Sequence, residues 1–202
     1  MLGSAASVTI LDEIAPAQRN EILERAHILL AWNFPHEISP QDYPHLRQVR
    51  FIQPALSAGA DHMPFADLPA HMLVASNPGA YATPMAEHVL TMTLVLAKHL
   101  LVQQQKLRHG EFDQFTPNRL LTGMMAGILG FGGIGRATAR LMRAFGMRIY
   151  AINTSGVSSE PTDFLGTLHD LEHVLRQSDV VVVALPLTKA MRGSSGRMSL
   201  PG

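Results

Sequence analysis

Four of the six residues from Gly130 to Gly135 are glycine, in the order Gly-Phe-Gly-Gly-Ile-Gly. Gly130, Gly132 and Gly135 hold the spacing G-x-G-x-x-G, and each place asks for glycine on a different ground. The first admits a tight turn out of a strand, where a side chain would clash. The second lets backbone approach a pyrophosphate, and the third lets a helix pack closely on a sheet. Phosphates would then rest on the unpaired N–H groups and positive dipole end of a helix beginning near Ile134. Gly133 is an additional glycine with no separate role.

Those glycines mean little without the elements that position them. Residues 124–129 are an apolar run of strand length. From Ile134 the apolar residues recur at Ala137, Leu141 and Phe145, the period of a helix with one buried stripe. Gly146 closes that helix, and 147–152 reads as a second short strand. Strand, glycine turn, helix and strand together are the context that a dinucleotide-binding motif requires. The same glycines would also serve a structural βαβ turn with no ligand, and the residues by themselves leave both readings open.

Upstream, 8–11 is a short β-branched run and 12–25 reads as a helix despite Pro16. Residues 27–32 (HILLAW) predict a buried strand, 33–44 a loop or short helix, and 49–52 and 72–75 two further strands. Ser57-Ala58-Gly59-Ala60-Asp61 and Ser76-Asn77-Pro78-Gly79 are turns. This alternation predicts an α/β domain over 1–82. The longest helical pattern is 85–108, with Thr83 as its cap, Pro84 in its first turn and an apolar stripe of Leu90, Leu94, Ala97 and Leu101. It would link the first domain to a second over 83–202. There 112–122 is loop, 154–167 a polar connection and 168–177 a short helix. The run 179–185 is a near-continuous apolar strand of the kind buried in parallel sheets.

Composition narrows the function. The 202 residues carry 16 basic and 16 acidic side chains and no net charge, so no overall field favours nucleic acid. Arg136, Arg140, Arg143 and Arg148 gather about the central helix, where a solvated face is the ordinary reading and a phosphate contact the rarer one. Without cysteine the chain has no disulfide, no thiolate metal ligand and no cysteine nucleophile. It has no H-E-x-x-H signature either, and no metal is expected. The N-terminus lacks a basic segment followed by a long apolar core. The apolar stretch 86–102 is interrupted by Glu87, His88, Lys98 and His99 and does not read as a membrane span. The expectation is a soluble, cytoplasmic protein with neither a membrane nor a nucleic-acid partner.

Several stretches together resemble the D-isomer-specific 2-hydroxyacid dehydrogenase family. Residues 56–62 (LSAGADH) are similar to its small-residue substrate loop, and Asn77-Pro78-Gly79 with Met85-Ala86-Glu87-His88 to its crossing into the cofactor domain. Residues 123–135 resemble its cofactor motif, and 178–188 its third cofactor-domain strand with the loop that follows. The resemblance covers roughly 8–193. It implies an α/β fold, a flavodoxin-like substrate domain followed by a partial Rossmann domain with a doubly wound parallel sheet. It also implies hydride transfer between NAD or NADP and a 2-oxo or 2-hydroxy acid. By the same resemblance the cofactor would meet Gly130, Gly132, Gly133, Ile134, Gly135, Asn153, Thr154 and Pro186. The substrate carboxylate would meet the backbone of Ala58, Gly59 and Ala60, and a homodimer would form through the cofactor domain.

The family's carboxylate-binding arginine, glutamate and histidine belong further downstream, and the tail after Gly193 departs from the family pattern, so no catalytic residue is assigned. The N-terminus also looks short. Both ends suggest a fragment, an alternative transcript or a faulty gene model, and the rival reading is an inactive cofactor-binding fragment or regulatory module. With strands only at 124–129, 147–152 and 179–185, the glycine-loop strand would be left at a sheet edge, with weak catalysis and poor solubility. Asn153 holds the place of the acid that usually grips the adenosine ribose. With Thr154 and Ser155 beside it and Arg136 within reach of the loop, the expectation leans slightly to NADP. An asparagine that simply accepts ribose hydrogen bonds is the alternative.

Overall fold

Pro16 has no N–H to donate and fixes its own φ, so 12–25 does not fold as the single helix its pattern predicts. In the computed structural model, which describes residues 6–54 and 63–185, Leu11–Glu13 and Pro16–Gln18 are separate 3-10 turns. Only α1, Arg19–Arg25, is α-helical. β1 (Ile28–Ala31), the single turn α2 (Phe34–Glu37), β2 (Phe51–Pro54) and β3 (Leu73–Val74) follow. The strands make a parallel sheet in the order β1-β2-β3, with Leu29 opposite Ile52 and Ile52 opposite Val74. They belong to the first of two compact units, Met1–Asn77.

The run HILLAW is buried on one face only, contrary to expectation. Leu29 and Ala31 join a core with Leu23, Phe34, Ile38, Leu46, Val49 and Ile52. Ile28 and Leu30 are 60% and 74% exposed. A strand alternates its faces, and a continuous apolar run hides that alternation.

A partly buried ion pair ties this unit together. Arg19 Nε and Nη2 donate to the two carboxylate oxygens of Asp42 at 2.9 and 3.0 Å, and Ser39 N and Oγ donate to Oδ2 at 2.7 and 2.9 Å. The hydrogen bond from Arg19, with those from Ser39, holds the Asp42 carboxyl below its ordinary pKa. A group lowered by folding stabilises fully above its unfolded value and loses that contribution as the pH falls through the folded one. Asp42→Ala should therefore cost roughly 2 kcal/mol at neutral pH, and the difference should shrink below about pH 4. Denaturant unfolding of the full chain, followed by the single tryptophan Trp32 in this unit, checks both. An unchanged midpoint at pH 7 would contradict the assignment.

The second unit, Pro78–Gly202, opens with a broken helix. α3 is Ala82–Ala97 and α4 is Leu100–Arg108, bent by 60° where His99 takes a left-handed φ of 51°. The expected continuous helix over 85–108 breaks where a distant segment takes over one of its carbonyls and is held there by Lys98. Arg119 N donates to the Ala97 carbonyl at 3.0 Å, and Lys98 Nζ donates to the Arg119 carbonyl at 2.7 Å. Nor does Thr83 cap it: the N-cap is Tyr81, with no side-chain cap bond. Among the described residues no single helix is long and apolar enough to cross a membrane.

β4 (Met125–Leu129), α5 (Gly133–Ala144), β5 (Arg148–Ile152), β6 (Phe164–Gly166), α6 (Leu171–Gln177) and β7 (Val180–Val183) complete the described chain. All four strands are parallel, in the order β6-β5-β4-β7. β6 lies inside the expected polar connection, so 180–183 is the fourth strand of this sheet and not the third. It pairs with β4 on the side opposite β5. The glycine-loop strand is therefore central, all five of its residues buried, and the predicted bare edge does not exist there. The edge falls to β7, where Val183 is 62% exposed.

Alternation along β4 and β5 divides the core. Ala126, Ile128, Ile149 and Ala151 pack with Ala139 and Met142 of α5, and with Val89, Leu90 and Leu94 of α3. Leu129 and Ile152 pack with Val174 of α6. At the N-terminal ends of these strands two carboxylates close the ladder. Asp179 Oδ2 accepts from Met125 N at 2.8 Å, and Asp163 Oδ2 accepts from Ile149 N at 2.7 Å. Both acids thus stand at the end of the sheet away from the glycine turn.

Candidate cofactor site

The turn from β4 into α5 separates the roles of its glycines. Gly130 has φ +98°, and a Cβ there would lie 2.6 Å from the Ala184 carbonyl oxygen beyond β7. A Cβ on Gly135 would overlap the Gly130 carbonyl oxygen. Both are required by the protein's own packing. A Cβ on Gly133 would meet Gly79 Cα and Ala82 Cβ at 3.7 and 3.8 Å, ordinary contacts that demand nothing.

Gly132 is different. Its φ of −84° and ψ of −153° suit any residue, and a Cβ there would have no atom of the described residues within 4 Å. Neither backbone strain nor crowding asks for glycine at this place. It is also the N-cap of α5, with no side chain closing the helix end. Among the described residues the N–H groups of Gly132, Gly133, Ile134 and Gly135 have no acceptor. The first helical bond at this end is Arg136 N to the Gly132 carbonyl, at 3.0 Å. An open space over a glycine, at the positive end of a helix with free donors, fits a pyrophosphate.

The turn is anchored across the sheet, since Gly130 and Phe131 N–H both donate to the Ile152 carbonyl at 3.0 and 3.1 Å. This brings the end of β5, and with it Asn153, beside the glycines. The Asn153 amide is engaged in shaping its own turn. Oδ1 accepts from Ser155 N at 3.1 Å and Gly156 N at 2.6 Å, and Nδ2 donates to the Val157 carbonyl at 2.9 Å. Thr154 is exposed beside it. Pro186 and the substrate-loop residues Ala58, Gly59 and Ala60 lie outside the described residues.

Sequence reasoning missed two neighbours of the turn. Ala184 backs Gly130, and Gly79 lies against Gly133. The second had a signal in the turn Asn77-Pro78-Gly79, whereas nothing about an alanine announces that its carbonyl will face a glycine. His169 and His173 stand four residues apart, a spacing that could have suggested a metal pair. Here His169 sits in the 3-10 turn Leu168–Asp170, while the His173 ring packs on Tyr150 and Phe164 at 5.8 and 4.9 Å. Among the described residues no three His, Asp or Glu side chains form a group able to hold a metal ion.

Residues 90–200 match the family D-isomer specific 2-hydroxyacid dehydrogenase, NAD binding domain. The chain is 32% identical over 124 residues to a glyoxylate reductase of Pyrococcus furiosus, covering 57% of this chain and 37% of that one. It is 30% identical over 129 residues to a hydroxypyruvate reductase of Thermotoga maritima, covering 63% of this chain and 41% of that one. It thus spans less than half the length of these curated relatives. A solved structure of a D-isomer specific 2-hydroxyacid dehydrogenase family protein from Aeromonas salmonicida superposes with a TM-score of 0.79 at 24% identity. That likeness covers 91% of this chain and 58% of the other, and shows the fold. With its four parallel strands, its glycine turn and the match over 90–200, the chain belongs to the D-isomer-specific 2-hydroxyacid dehydrogenase family through its NAD-binding domain.

Proposed function

We propose that the second unit holds NAD or NADP, with the pyrophosphate over Gly132 and on the N–H groups of Gly132, Gly133, Ile134 and Gly135. Gly130 and Gly135 shape the turn that presents those donors. Asn153 and Thr154 meet the adenosine ribose, and Pro186 meets the cofactor. Ala58, Gly59 and Ala60 hold the substrate carboxylate. The observation that carries this reading is Gly132, a glycine that the atoms of the described residues do not require.

When bound, such a cofactor supplies a hydride to, or accepts one from, the second carbon of a 2-oxo or 2-hydroxy acid. The reaction class is then the reduction of a small 2-oxo acid to a D-2-hydroxy acid, in keeping with the names of the matching reductases. A cytoplasmic homodimer joined through the second unit, without a membrane or nucleic-acid partner, belongs to the same proposal.

The alternative is cofactor binding without turnover by this chain, which matches its family through the NAD-binding domain. Titration of the purified chain with NADH and NADPH, read by nicotinamide fluorescence and followed by assay with glyoxylate and hydroxypyruvate, separates the two. Binding with turnover supports the reductase, and binding without turnover supports the second reading. Absence of binding contradicts both.

A further inference from the structure

The three-stranded sheet of the first unit has cover on one face only. Leu29 and Ala31 of β1 and Ile52 of β2 share a core with Leu23 of α1 and Phe34 of α2. The alternation of a strand sends the residues between them to the opposite face. There Ile28 stands beside Phe51, Leu30 beside Gln53, and Phe51 beside Leu73 of β3. Leu73 and Trp32 are 69% and 61% exposed, as Ile28 and Leu30 are, and Trp32 continues the alternation one residue past β1. Parallel sheets are ordinarily covered on both faces, and this one is not.

The chemistry of the open face favours a second copy of itself. None of its side chains is charged, and its one amide is satisfied locally, Gln53 Nε2 donating to the Pro54 carbonyl at 3.1 Å. A charge-free surface meets its own copy without repulsion and offers a charged peptide nothing to pair with. The size agrees. Ile28, Leu30, Trp32 and Leu73 present on the order of 500 Å² of surface, at the upper end of what a monomer leaves bare. A standard interface takes about 800 Å² from each partner, its polar rim included. Two sheet faces pack about 10 Å apart with their strands near −30°, and a two-fold axis sets the same patch against itself.

We propose that this face is a self-association surface, on which two copies of the chain pack Ile28, Leu30, Trp32 and Leu73 of their first units against one another about a two-fold axis. The contact is independent of the cofactor site and of the dimer proposed through the second unit, and it stands if either of those fails.

Trp32 is the only tryptophan of the chain and reports on this face directly. Sedimentation velocity of the full chain over a dilution series, with acrylamide quenching of Trp32 on the same samples, tests the proposal. In the associated species Trp32 should emit further to the blue and be quenched several-fold less than after dilution. Leu30→Lys puts a charge on the face and should raise the dissociation constant of that step about a hundredfold, leaving Trp32 open to quencher at every concentration. Leu73→Ser, a milder change on the neighbouring side, should act in the same direction, and circular dichroism checks that both variants fold. The wild-type measurement stands without them. Trp32 freely quenched in an associated chain, Trp32 shielded in a monomer, or association with shielding that survives both substitutions would overturn the proposal. A chain that stays monomeric with Trp32 open at every concentration would overturn it too, and leave the face to a different protein.

Discussion

Gly135→Ala should destabilise the second unit even though it places a better helix former inside a helix. Helix propensity alone favours alanine by about 1 kcal/mol. Against that, the new methyl would overlap the Gly130 carbonyl oxygen and come within 3.2 Å of Ile128 Cγ2. The oxygen belongs to backbone and cannot swing aside. Gly130 is itself pressed against Ala184 and already at φ +98°, so the turn has no room behind it. Overpacking costs about 1–3 kcal/mol, and a rigid backbone neighbour puts this case at the upper end. The net expectation is a loss of roughly 2 kcal/mol, seen as a fall of about 5 °C in the melting temperature of the full chain. A variant at least as stable as the parent would show that helix and strand are not packed as closely as described.

Gly132→Ser should separate stability from binding, in opposite directions. The position has ordinary dihedral angles and empty space, so serine enters without a clash. As an N-cap residue serine is preferred, and its hydroxyl can accept from the N–H of Ile134 or Gly135. Folding stability should hold or rise by up to about 1 kcal/mol. The same hydroxyl then occupies the space and the donors assigned to the pyrophosphate. Losing two charge-assisted bonds of about 1.5 kcal/mol each weakens dinucleotide binding on the order of a hundredfold. Affinity unchanged in a well-folded Gly132→Ser protein would remove the pyrophosphate from this place. Loss of stability together with affinity would mean that Gly132 is a structural glycine after all.

These two glycines show how far the site could be read from residues alone. Spacing located the turn, and the flanking apolar runs supplied its strand, helix and second strand. Which glycine serves packing and which serves a ligand was not legible, because that depends on atoms such as the Ala184 carbonyl, more than fifty residues away. The three residues Phe164–Gly166 are too short and irregular for a period of two to emerge, so β6 was invisible. Missing it shifted the strand count and left β4 at an edge it does not occupy. The break at His99 was hidden for a similar reason, since it depends on Arg119 N reaching back to the Ala97 carbonyl. In the first unit the apolar run at 27–32 announced a strand but not which of its faces would be covered.

Arg136 belongs to the same pattern. As one of four arginines about a helix it reads as part of a solvated face. The structure engages two of those four, Arg140 with Glu160 and Arg143 with the Pro161 carbonyl, which spacing alone does not show. Asn153, which in sequence looked available to a ribose, has its side chain turned to its own loop.

The most direct test of the cofactor site follows the backbone amides themselves. In an isotope-labelled full chain titrated with NADH or NADPH, the amide resonances of Gly132, Gly133, Ile134 and Gly135 should move together and saturate. Those of Met125 and Ile149, at the far end of the strands and bound to Asp179 and Asp163, should stay in place. Saturable shifts elsewhere in the chain with these four amides unmoved, or no saturable shift with either dinucleotide, would contradict the account.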